Sequence, residues 1–361
     1  MKIGFLIRRM NQFPHVEGTL REAVSRKHEA HILCRQGSAS KDGTSPHLFP
    51  KRAQGMAEIH KPCDTRPDLD AVVVPSALGF NIPAGAGRPI RVALQTTWSD
   101  LIHLPALDWD VVYTWSPLWG RAWHDAHPDQ VATNMVPVGL PIAEQTNWLR
   151  PGDARELYGL PKWPAKFLLY YPFPFDTHDM NPWLRWGYRY SPWGDRSVVR
   201  ECRRIADQYA WPLVVKSRKK TTVPKYTRDR ADVIVEDAMP GEASGLQIMM
   251  LSHLLVHHRS IGAGEAAAAG VRAVCVSPRG WTAYAGRGDS FDMKEGSFFN
   301  WSGVSSFLRP GLGFNLDGHL APVNMIERTR FIYRYLGEPD FKVGHRIITD
   351  LEVRLARRGI R

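Results

Sequence analysis

The sequence predicts an α/β fold of two consecutive units, each built on a parallel sheet, facing one another across a cleft. Three observations lead there. Short apolar runs such as Lys2–Ile7, Asp70–Pro75 and Leu213–Lys216 recur without the polar alternation of a half-exposed sheet, so they read as strands buried on both faces. Loops or helical segments separate them, as parallel pairing requires. The series starts afresh near Lys166 after a loop-rich connector, and 361 residues suffice for about two domains.

Taken in order, Lys2–Ile7 is the first strand, followed by a loop over Arg8–Thr19 and a helix over Leu20–Arg26. His31–Cys34, Asp70–Pro75, Arg91–Gln95 and Asp110–Tyr113 continue the sheet, and the Gly/Pro-rich stretch 75–90 reads as loop. Val136–Pro141 is a stiff passage at the domain boundary. The second series comprises the strands Lys166–Tyr171, Leu213–Lys216, Val233–Val235, Leu254–His257 and Arg272–Val276. Between them lie helices over Ser197–Ala210, Glu242–Leu251 and Gly264–Ala269. In the first of these, Val198, Val199, Cys202, Ile205, Ala206 and Tyr209 share one face. The expected division is residues 1–145, 146–322 and a helical C-terminal segment 323–361 suited to bracing the first domain.

Composition narrows the function classes. Charged residues make up 23% and hydrophobic residues 43%, the balance of a folded protein rather than a disordered one. The net charge of +11 draws anions without choosing among nucleic acid, phosphorylated small molecules and an acidic membrane. Cys34, Cys63, Cys202 and Cys275 form no CxxC pair, which argues against a disulfide scaffold or zinc finger and for a reducing compartment. The opening residues do not read as a signal peptide and no run is long enough to span a membrane. The expected location is therefore cytoplasmic, with the basic end Leu355–Arg361 suited to touching the inner face of an anionic membrane.

The sharpest pattern runs from Leu254 to Gly270. An apolar strand ends at His257-His258, Ser260, Gly262 and Gly264 make a small-residue turn, and an alanine-rich helix follows. Glycines admit a phosphate close to the backbone, Ser260 can donate to it, and a helix start favours negative charge. Glu265, in the first turn, is placed to accept from a ribose hydroxyl, and equally to cap its helix. The loop has neither the closing Gly-Lys-Ser/Thr of a Walker A sequence nor GxGxxG.

A second signal follows Leu213–Val215. Lys216, Arg218, Lys219, Lys220, Lys225, Arg228 and Arg230 concentrate positive charge, and Lys216 and Arg218, nearest the strand end, suit a diphosphate. Aromatic residues crowd Tyr170–Phe175 and Asn181–Trp193, where they suit a base, a sugar or a packing role. In the first half, His15 and Glu17 are the candidate bases for removing a proton from an acceptor hydroxyl. Asp100 or Thr97, at a later strand end, suits holding that hydroxyl. Asp68-Leu69-Asp70 reads as a false DxD lead that merely precedes a buried strand.

Leu213–Arg218 and His258–Glu265, in that order and some forty residues apart, resemble the two-domain nucleotide-sugar transferases of the GT-B fold. Within these they resemble the capsule and teichoic-acid branch that includes CDP-glycerol glycerophosphotransferases. The resemblance implies two Rossmann-like domains and metal-independent transfer of a sugar from a nucleotide-sugar donor to a saccharide or lipid-linked acceptor, with no metal ligands and no further cofactor. It places Lys216, Arg218, His258, Ser260 and Gly262 on the donor diphosphate and Glu265 on its ribose. Transfer of an alditol phosphate from a CDP carrier and 2-epimerisation of a UDP-sugar are the alternatives that share this layout. Nucleic-acid binding fits the charge alone.

Overall fold

The structure, a computed structural model, describes residues 1–8, 10–34, 49–61, 68–75, 89–97, 109–126, 134–162, 166–172, 194–217, 223–235, 245–258, 260–277, 295–311 and 313–359. Two sheets organise them. The strands of the first are β1 (Lys2–Ile7), β2 (Glu29–Cys34), β3 (Glu58–His60), β4 (Ala71–Pro75), β5 (Ile90–Leu94), β6 (Val111–Thr114) and β7 (Met135–Pro137). They pair in parallel in the order β3-β2-β1-β4-β5-β6-β7. The strands of the second are β8 (Phe167–Tyr170), β9 (Leu213–Lys216), β10 (Val233–Val235), β11 (Ser252–His257), β12 (Arg272–Val276) and β13 (Ser305–Leu308). Their order, β10-β9-β8-β11-β12-β13, is again parallel throughout.

The helices, in chain order, are α1 (Phe13–Ser25), α2 (Lys51–Gln54), α3 (Pro117–Ala126), α4 (Pro151–Tyr158) and α5 (Asp195–Gln208). Then come α6 (Lys225–Arg228), α7 (Gly245–Met250), α8 (Gly262–Ala269), α9 (Met325–Phe331) and α10 (Val343–Arg357). One compact unit consists of Met1–Trp148 with Tyr333–Arg361, and the other of residues between Leu149 and Ile332.

In the first unit, Phe13, Val16, Leu20 and Ala23 form the buried stripe of α1, and Val343, Ile347, Ile348, Leu351 and Leu355 that of α10. Both stripes join the core that covers β1, β2, β4, β5 and β6. Tyr113 Oη donates to Asp350 Oδ2 at 2.8 Å, tying β6 to α10, and burial beside that carboxylate pushes the phenol pKa upward. In the second unit, Val198, Val199, Cys202, Ile205 and Ala206 of α5 pack onto Leu168, Val215, Leu254 and Val256 of the sheet. Continuous burial along β4 and β8, and along β11 from Leu254 to His257, explains why these runs carry no polar alternation.

One device recurs at the entry to the strands. Asp70, just before β4, accepts the Lys2 N–H of β1 at 2.7 Å; Asp110, just before β6, accepts the Arg91 N–H of β5 at 2.8 Å. Asp232, just before β10, accepts the Leu213 N–H of β9 at 2.7 Å. Near the start of a parallel strand an amide can lack a ladder partner, and each carboxylate supplies one. Asp70 therefore has a structural task at the start of the sheet.

The loop expected over Arg8–Thr19 is corrected. Helix α1 begins at Phe13, seven residues before the expected start, because Phe13 and Val16 extend the buried stripe and Pro14 suits a first turn. The short edge strands β3 and β7 and the last strand β13 were not anticipated, since three or four residues without a strong apolar run give too little signal.

Candidate active site

Each sheet has the strand order of a doubly wound fold, which reverses direction between β1 and β4 in the first and between β8 and β11 in the second. At such a switch point the connections leave on opposite faces, and a crevice opens beyond the carboxyl ends of the two strands. The second switch point collects the residues that the sequence singles out. Tyr171 follows β8, Lys216 ends β9, Ser260 follows β11, and Glu265 lies in the first turn of α8.

Gly245, at the start of α7, shows how closely they gather. A Cβ on this glycine would lie 3.3 Å from Tyr171 Oη, 3.5 Å from Lys216 Cε and 3.8 Å from Glu265 Oε2. A Cβ on Gly262 would lie 3.2 Å from Cε2 of the same tyrosine and 3.3 Å from Ser260 Oγ. The Tyr171 ring thus spans the gap between two glycines, with the Lys216 ammonium 5.8 Å from its centroid. Lys216, Tyr171 and Glu265 are half-buried, and Ser260 is buried. A cation, a phenol, a carboxylate and a hydroxyl around bare backbone can bind a phosphorylated ligand carrying sugar hydroxyls.

The start of α8 differs from expectation. Gly262 and Gly264 form its first turn instead of a preceding loop. Its opening amides already have partners: Gly262 N–H donates to Ser260 Oγ at 3.1 Å, Ala263 N–H to Ser260 O at 3.2 Å and Gly264 N–H to Ile261 O at 2.8 Å. What the helix start offers an anion is therefore its dipole and the Ser260 O–H, which can still donate once Oγ has accepted from Gly262.

The two histidines that end the strand part company. His258 is turned into the domain: Nδ1 meets Val276 O at 3.0 Å, and Nε2 meets Tyr170 Oη at 3.0 Å and Asp195 Oδ1 at 3.5 Å. Tyr170 Oη in turn donates to Asp195. Both ring nitrogens thus brace β8, β12 and α5, so the expected contact of His258 with a diphosphate does not match its placement. His257 is buried too, and its Nδ1 accepts the Ser260 N–H at 3.0 Å. Burial, with a smaller contribution from neighbouring His258, pushes its pKa down to about 3. The ring is accordingly neutral with the proton on Nε2, which has no hydrogen-bond partner among the described residues. His257 fixes the Ser260 backbone, a role that the doublet in the sequence did not reveal.

In the first unit, His15 sits half-buried in the first turn of α1, beyond the carboxyl end of β1. Glu17, two residues on, is fully buried and faces the protein. Arg21 reaches Glu17 Oε1 at 2.9 Å and Arg52 at 2.8 Å, while Gln145 Nε2 lies 3.4 Å from Oε2. A carboxylate enclosed by two guanidiniums joins α1 to α2 and to the turn at Pro141–Asn147, so the Glu17 proposed as a base is engaged in ion pairs. Asp100, Arg218, Lys219, Lys220 and the aromatic segment Asn181–Trp193 lie outside the described residues, while Thr97 is described and half-buried. Gly245 and the partition of the two histidines are what the sequence reading missed, and a lone glycine inside an expected helix gave no cue.

The chain matches no protein-family model and no curated protein. It does overlay on solved structures along its whole length. A UDP-N-acetylglucosamine 2-epimerase aligns at 9% identity over 100% of this chain and 97% of its own, with a TM-score of 0.56. The UDP-GlcNAc 2-epimerase of Methanocaldococcus jannaschii, solved with UDP-GlcNAc and UDP, aligns at 11% identity over 98% and 100%, with a TM-score of 0.54. The calicheamicin glycosyltransferase CalG4 aligns at 14% identity over 99% and 98%, with a TM-score of 0.47, too low to carry an argument. At such identities the likeness concerns the fold alone. The fold is GT-B-like, with two Rossmann-like α/β domains in one chain.

Proposed function

We propose that this protein is an enzyme acting on a nucleoside-diphosphate sugar held at the switch point of its second sheet, and that it breaks the bond between the anomeric carbon and the diphosphate. The observation that carries the reading is the convergence of Lys216, Glu265 and Tyr171 on Gly245, with Ser260 at the other edge of the tyrosine ring. Lys216 and the Ser260 hydroxyl receive the diphosphate, aided by the α8 dipole, and Arg218 is assigned to the same charge from its place two residues beyond Lys216. Glu265 accepts the ribose hydroxyls. Breaking the anomeric bond puts negative charge on the departing diphosphate, and preorganised cationic and dipolar groups are most effective where such charge develops. His15 is assigned the proton transfer on the sugar side.

Two reactions share this bond cleavage. Solved structures that overlay with TM-scores above 0.5 include UDP-GlcNAc 2-epimerases, which supports isomerisation of a UDP-sugar as the first reading. Transfer to a hydroxyl acceptor is the second, supported by the resemblance of Leu213–Arg218 and His258–Glu265 to surface-polysaccharide transferases. Titration with UDP, GDP and CDP and their sugars identifies the nucleotide. Incubation with the donor alone, followed by proton NMR and mass analysis, then separates the two: an isomer of unchanged mass means epimerisation, and turnover only with an added acceptor means transfer. Failure of every nucleotide to bind at millimolar concentration overturns both.

A further inference from the structure

At the far edge of the first sheet, His31 on β2 lies in register with Glu58 on β3, and His60 follows Glu58 on the same strand face. Their ligating atoms face one another. His31 Nδ1 is 2.9 Å from His60 Nε2 and 3.6 Å from Glu58 Oε2, and the latter two atoms are 3.8 Å apart. We propose that His31, Glu58 and His60 bind a divalent transition metal ion, zinc by preference, as a clip between β2 and the edge strand β3.

The donor set of two imidazoles and one carboxylate suits zinc, with a fourth position open to water. Four ligands at zinc's bond lengths of about 2.0–2.1 Å stand about 3.3 Å apart, so the three observed separations bracket the required geometry within about half an ångström. Proton placement strengthens the case. Glu29 Oε1 lies 3.0 Å from His31 Nε2, so the carboxylate holds the ring proton there and leaves a lone pair on Nδ1. A carboxylate behind a histidine in this way is the usual orienting partner of a metal-bound imidazole. His31 is only 2% exposed, which fixes its ring, whereas His60 at 13% and Glu58 at 69% leave an entry path from solvent. The sequence carries the pattern twice, as Glu29-Ala30-His31 and Glu58-Ile59-His60, on neighbouring strands.

The competing account is a plain hydrogen bond between the two imidazoles, and metal binding separates the two. The tag-free full-length chain, stripped with chelator, is titrated with Co2+ and followed by the visible ligand-field spectrum. One equivalent of four-coordinate Co2+, displaced by Zn2+, is expected, together with a rise in Tm on adding Zn2+. Glu58→Gln and His60→Asn, both on the sheet edge and checked for folding by circular dichroism, should each weaken binding about tenfold or more and abolish the Tm rise. Glu29→Gln keeps all three ligands and should weaken binding about ten- to a hundredfold. Absence of a one-equivalent spectrum, or a spectrum unaltered in both folded ligand variants, overturns the proposal. No nucleotide enters this experiment, so its result is independent of the site in the second domain.

Discussion

Gly18 of α1 and Gly344 of α10 touch backbone to backbone: a Cβ on Gly344 would stand 2.5 Å from the Gly18 carbonyl oxygen and 2.9 Å from Thr19 N. The two helices are far apart in sequence, yet both stripes enter one core, and this crossing sets their approach. Gly344→Ala should therefore cost about 1–3 kcal/mol, as overpacking against rigid backbone does, and lower Tm by several degrees in a thermal melt. An unchanged Tm would mean that α10 packs elsewhere.

Glu144 sits at the same crossing, its Oε2 accepting the Gly344 N–H at 2.8 Å and closing on the space beside Gly18. Burial is the largest cause that raises its pKa to about 7, assisted by Glu22 and Asp340 and opposed by the Gly344 amide and Arg346. The folded state thus holds this proton more tightly than the unfolded chain. The stability it contributes is complete below pH 4.5 and is lost as pH rises to about 7, a change of about 3 kcal/mol at most. Glu144→Gln should flatten that part of the pH–stability profile and gain on the parent chain at pH 8, as read by urea denaturation.

Glu17 and His15 separate anchoring from chemistry. Glu17→Gln removes the charge between Arg21 and Arg52, which remain about a third exposed and can rehydrate, so a loss of about 1–3 kcal/mol is expected rather than the full cost of stranded buried cations. His15→Ala should leave Tm nearly unchanged and lower kcat with KM maintained. The reverse pattern would assign the chemistry to Glu17.

Around Gly245, Lys216→Met and Glu265→Gln should each weaken nucleotide binding about ten- to a hundredfold, the range for losing a hydrogen bond to a charged group. Gly245→Val should block binding by filling the space shared by Tyr171, Lys216 and Glu265. Calorimetric titration with the best nucleotide, beside circular dichroism to confirm folding, checks all three.

His257 should show no titration in proton NMR between pH 5 and 9, because burial holds its pKa at about 3. A midpoint near neutrality would place water or an anion beside the ring. Any catalytic pH dependence in that range must then come from another group.

Much of the fold was legible in the sequence because burial on both faces writes itself as unbroken apolar runs. Val72–Val74, Leu168–Tyr170 and Leu254–Val256 are such runs, and each is a central strand. The cluster from His257 to Glu265 stood out for the same local reason, since a strand, small residues and a helix follow one another without a gap. Short edge strands such as β3 carry too few apolar residues for this, and the true start of α1 was hidden by the polar residues around His15.

What the sequence by itself determined is the succession of elements and the strand ends where ligands gather. Tertiary structure alone decided which of the neighbouring polar residues face solvent and which face the protein. His257 ends β11 and His258 follows it, both buried, yet the first holds the Ser260 amide and the second holds Tyr170 and Val276, and Glu17 meets Arg52 only because α1 and α2 pack together. The same holds for the pairing of His31 with Glu58 and His60, which arises from the register of two strands.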